Sequence, residues 1–137
     1  MSKYWVKRLD EVPRVPEEEA GEPVWYPLQH YFRFTAFGVN VYTASEAGGA
    51  LIGDHDEAES EQEELYLVTE GAARFTIDEE DHLVSSVGIV AVPDPAVRRS
   101  AVAEEPGTTV VVVGGRRASK FDSSWRSEHF EGVPRAG

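Results

Sequence analysis

The stretch from Gly48 to Gly71, GGALIGDHDEAESEQEELYLVTEG, sets one histidine among a crowd of carboxylates between two glycine turns. Residues two apart on a strand share a face, so His55 and Glu57 can point the same way. Glu64 begins the next β-rich run, and Tyr66 and Val68 share its face. An acid at the head of an apolar inward face belongs at the mouth or inside of a barrel. Tyr66 on that face would aim its hydroxyl into the same space. One imidazole and two carboxylates from adjacent strands make half a coordination shell for Mn, Fe(II), Ni or Zn, with water in the open positions. The competing reading is a wet acidic loop, with His55, Asp56, Glu57, Glu59 and Glu61 in solvent and only Glu64 structural.

The elements that must position these groups read as β-strands. From residue 50 onward, short runs such as EELYLV, AARFTI, IVAV, VRRSAVA and TTVVVV alternate with the turn signals TEG, DEED, PDP, EEPG and GG. Strands of this length and spacing predict an antiparallel sandwich or barrel. Upstream, residues 10–24 mix prolines with acids and predict an extended arm. The aromatic stretch after it, with Phe32, Phe34, Val39 and Val41 in alternation, predicts two strands broken near Gly38. The resulting plan is an arm over 1–24, a barrel over 25–116 and a tail over 117–137, which Trp125 and Phe130 would anchor as one helical turn or a terminal strand.

Composition removes several function classes. The chain has 137 residues, enough for one domain, and no cysteine for a disulfide, a thiolate metal site or a sulfur nucleophile. A net charge of -12 disfavours nucleic acid, whose phosphates need clustered Lys and Arg. No apolar run is long enough to span a bilayer, and the N-terminus lacks a signal core, so the expectation is a cytoplasmic protein without a membrane partner. His30, His82 and His129 read as boundary, strand-start and tail residues, and no Ser-His-Asp set or phosphate-binding glycine loop is convincing.

The pattern Gly49, His55, Glu57, Glu64, Gly71 resembles the first motif of the cupin superfamily, in which a His-x-His pair and a glutamate are framed by glycines. GIVAVPDPAVRRSAV is similar to the second motif, with Gly88, Pro93 and Pro95 in place and the fourth ligand histidine falling on Arg98. The first spacing of that second motif is one residue short. The resemblance spans roughly residues 30–115 and implies an all-β jelly-roll barrel with degenerate metal motifs. Glu57 stands for one histidine and can ligate through oxygen. Arg98 stands for another and cannot, because a guanidinium has no lone pair to give.

If Arg98 points inward as the resemblance implies, it meets Glu64, and Ser100 shares its side of the strand. Two readings then stand beside the wet loop. In one, the guanidinium replaces the metal as an internal counter-ion; in the other, a divalent ion sits on His55, Glu57 and Glu64 while Arg98 receives an anionic ligand. The expected function is a cupin-like small-molecule-binding protein with an incomplete metal site, using Arg98, Tyr66 and Ser100 towards the ligand. The alternatives are a metal-dependent enzyme of the dioxygenase, isomerase or hydrolase kind, and a non-catalytic interaction protein. The resemblance also implies a homodimer, which the aromatic segment WYPLQHYFRF would serve.

Overall fold

The computed structural model describes residues 3–121, 123, 124 and 126–137. Trp125 lies outside the described residues. Among these residues the strands are β1 (Val24–Tyr26), β2 (Gly38–Thr43), β3 (Ala50–His55), β4 (Gln62–Glu70), β5 (Ala72–Ile77), β6 (Glu80–Ser85), β7 (Ile89–Val92), β8 (Arg99–Ala103) and β9 (Thr109–Arg116). They form a five-stranded sheet in the order β1-β2-β9-β4-β7 and a four-stranded sheet in the order β3-β8-β5-β6. All the pairings are antiparallel.

Strict alternation puts the core between the two sheets. On β4, Tyr66 and Val68 are buried; on β9, Val110 and Val112 face them across the register Tyr66↔Val112 and Val68↔Val110. Phe75, Ala73 and Leu51 close the core from the other sheet. The connection from β4 to β5 needs Gly71, whose φ of 71° lies in the left-handed region. A Cβ there would stand 2.5 Å from Thr108 Oγ1, a hydroxyl already bonded to Ala72 and Glu105. Gly71→Ala is therefore expected to lower the unfolding free energy by about 2–4 kcal/mol, read by urea denaturation, from backbone strain plus overpacking.

Two segments differ from the sequence reading. Residues 28–32, expected in a strand with Phe32 and Phe34, form a short helix α1 (Leu28–Phe32). Pro27 stands at its N-cap, and Arg33 ends it in the left-handed conformation. The arm is not simply extended. It makes a 3-10 turn at Leu9–Glu11, and Val12 is buried against Tyr26 and Val41 on the outer face of the five-stranded sheet. The tail takes the helical-turn alternative at Ser127–Phe130, but Phe130 is exposed and anchors nothing.

Candidate functional site

His55 closes β3 and Glu64 opens the inner face of β4, so each sheet contributes one side chain to the same end of the barrel. Glu57 follows β3, where its backbone N–H donates to Pro95 O at 2.8 Å. One ligating atom from each of the three lies within 4.8 Å of the others. His55 Nε2 is 3.2 Å from Glu57 Oε1 and 3.8 Å from Glu64 Oε1. The other ring nitrogen, Nδ1, sits 2.7 Å from Gly53 O, an acceptor only, so Nδ1 carries the hydrogen.

That assignment tests whether a metal suits the site. In the neutral ring, a proton on Nδ1 leaves a lone pair on Nε2, facing a carboxylate oxygen. A lone pair facing carboxylate oxygens at this distance is placed to share a cation with them. A second-sphere carbonyl fixing Nδ1–H is also the usual support of a ligating histidine. The donor set fits a divalent transition metal.

The guanidinium inside the barrel belongs to Arg99, not Arg98. β8 pairs His55 with Arg99 and Ile77 with Arg99, and Arg99, Ala101 and Ala103 all face inward. Arg98 precedes the strand and turns outward, 2.9 Å from Asp54 and 3.9 Å from Asp56. Ser100, two residues along, lines the same outer hollow as Arg98, Thr76 and Asp78. The expected inward placement of Arg98 and Ser100 is thus corrected by one step of strand parity. The wet-loop reading is corrected for His55 and Glu57, which are half-buried beside Glu64, while Asp56, Glu59 and Glu61 are exposed as that reading has them.

Arg99 is 0% exposed, and its Nε lies 3.9 Å from Glu64 Oε1, beyond hydrogen-bond reach. Among the described residues, none of its three side-chain nitrogens has a hydrogen-bond partner. Tyr66, expected near the site, is there: its hydroxyl donates to Glu64 Oε1 at 2.6 Å. Burial, then that hydrogen bond and the Glu64 charge, hold the Tyr66 hydroxyl protonated far above its ordinary range. Tyr42, across the cavity on β2, is raised by burial and by the same carboxylate. Oxygen Oε1 of Glu64 is therefore surrounded by Tyr66, His55 and Arg99, and among the described residues no hydrogen bond engages Oε2.

The cluster forms the inner wall of a cavity of about 780 Å³. Trp25, Asn40 and Tyr42 line one side and Gln62 another, while residues 15–23 of the arm lie across the mouth. The sequence reading missed this role of the arm. His30 and His129 are exposed on α1 and the C-terminal turn, and His82 meets Glu80 on the edge strand β6.

No family model matches the sequence, and no curated protein matches it. Solved structures do. A cupin protein from Bacteroides fragilis superposes with a TM-score of 0.69 at 18% identity, covering 90% of this chain and 93% of that one. A sugar phosphate isomerase from a cupin superfamily, from Silicibacter pomeroyi, gives 0.64 at 23% identity over 80% and 74% of the two chains. A Streptomyces PAC13 variant with uridine gives 0.61 at 12% identity over 86% and 87%. The shared architecture is the two-sheet barrel described above. The chain folds as a cupin.

Proposed function

We propose that this protein binds a small molecule in the cavity, over a divalent transition metal held by His55, Glu57 and Glu64. The observation that carries the reading is the convergence of His55, Glu57 and Glu64, whose ligating atoms lie within 4.8 Å of one another. A bound ion would act as a Lewis acid, drawing an oxygen donor of the ligand to its open positions. The ligand's anionic or hydroxyl oxygen meets the metal, since Arg98 is on the outer face. The internal counter-ion reading is weaker, because Arg99 reaches no hydrogen bond with Glu64. Solved cupins of the same architecture, a sugar phosphate isomerase and a uridine complex among them, support a small-molecule cavity.

Metal analysis tests it. Purified protein loaded with Mn, Fe(II), Ni or Zn and then desalted should retain about one ion per chain, and His55→Ala should retain little. Removing one of three ligands is expected to weaken binding by about 100-fold or more. Wild type that holds no ion under any loading would end the metal reading.

One observation favours a homodimer as a second feature. Phe34, Phe37, Leu65 and Ile89 are exposed on the outer side of the five-stranded sheet, beside the edge strand β7. Light scattering should give twice the chain mass, and Ile89→Glu should shift it to the monomer. A monomeric wild type would remove the dimer.

A further inference from the structure

The arm makes a wall of the cavity, and its chemistry says what the cavity accepts. Val15 N–H donates to Trp25 O at 2.9 Å, and Val24 pairs with Thr43, so residues 16–23 form a loop with both feet pinned to β1. Among the described residues, its own hydrogen bonds are local: Glu18 N–H to Glu22 Oε2 at 3.0 Å and Glu22 N–H to Glu19 O at 3.4 Å. This loop places Glu17, Glu18, Glu19 and Glu22 at the mouth, above Glu57 and Glu64 in the floor. No lysine or arginine lines the cavity. An anion entering alone would meet only like charge.

Trp25 and Tyr42, cross-strand neighbours in the wall, have ring centroids 6.1 Å apart and tilted by 33°. Two such faces beside carboxylates suit a cationic nitrogen. Glu64, at the inner end, lines the same cavity, and its carboxylate can accept from a hydroxyl brought in with the ligand. Arg99 stands behind it, fully buried and outside the cavity lining.

We infer that the cavity takes a small organic amine that also carries a hydroxyl, its cationic nitrogen held between the acidic loop and Trp25–Tyr42 and its hydroxyl directed at the His55–Glu64 end. This deepens the proposed function and rests on the cavity being the ligand site, though not on the metal.

The probe is choline, compared with 3,3-dimethylbutan-1-ol, which has the same shape without the charge. In the full-length labelled protein, choline should move the Trp25 indole N–H resonance, less so as salt rises, and the neutral alcohol should leave it in place. The exposed-residue variant Glu17→Gln/Glu18→Gln/Glu19→Gln/Glu22→Gln should bind choline about tenfold more weakly. No response to choline, an equal response to the alcohol, or unchanged affinity in the variant would overturn the inference. A parallel Co²⁺ titration reads the metal by itself. Choline binding without cobalt upholds the acidic wall and removes the metal; cobalt binding without choline does the reverse.

Discussion

Replacing Glu64 by leucine should lower the unfolding free energy by about 3–5 kcal/mol, because it strands a buried positive charge. Among the described residues, Glu64 is the one carboxylate within 4 Å of Arg99, and it also accepts the Tyr66 hydroxyl. Losing it leaves a fully buried guanidinium and a buried phenol with no partner. Adding Arg99→Met to the same chain should return most of the loss, since methionine fills similar space without charge. Urea denaturation of the two single variants and the double variant measures the coupling directly. An Arg99→Met effect that is the same with and without Glu64 would show that the two side chains do not interact.

The second large effect is on metal affinity. Arg99→Met alone should tighten divalent-ion binding by a factor of order 100. A unit charge roughly 5 Å from a divalent ion would oppose it by about 7 kcal/mol at an effective dielectric near 20, and relaxation of the site would recover part of that. Ile77, packed against the core, borders Arg99 across the sheet, so a methionine there remains among apolar neighbours. Titration calorimetry with Co²⁺ on wild type and variant checks the factor. Affinity that falls in the variant would mean that Arg99 supports the ion instead of opposing it. Stability should fall less than in Glu64→Leu, because Glu64 keeps the Tyr66 hydroxyl when Arg99 is gone.

The barrel was legible because its strands are short, alternate cleanly and end in turn residues that can do little else. The pair of Glu64 and Tyr66 was legible for the same reason: both follow the parity of Val68. Arg98 was misplaced by reasoning from a motif instead of from the strand. In VRRSAVA, the small residues Ala101 and Ala103 mark the inward side, and their parity selects Arg99. The short spacing before Pro93 was the accompanying signal: the alignment slipped there, and every position after it carried the slip. The α1 segment was missed because its aromatic residues favour strands, while Pro27 and the left-handed Arg33 impose a helical turn that local propensity does not reveal. The arm's place over the cavity had no local signal. It follows from Val12 being buried on the far side of the sheet, a tertiary contact.

His55 belongs to the four-stranded layer and Glu64 to the five-stranded one, with no hydrogen-bonded ladder joining those two strands. Any cation shared between them acts as a rivet through both layers, and its removal leaves slack at that end of the barrel. Occupancy and the spacing of the layers become one variable, so amides of β3 and β4 should slow their exchange together when the rivet is in place.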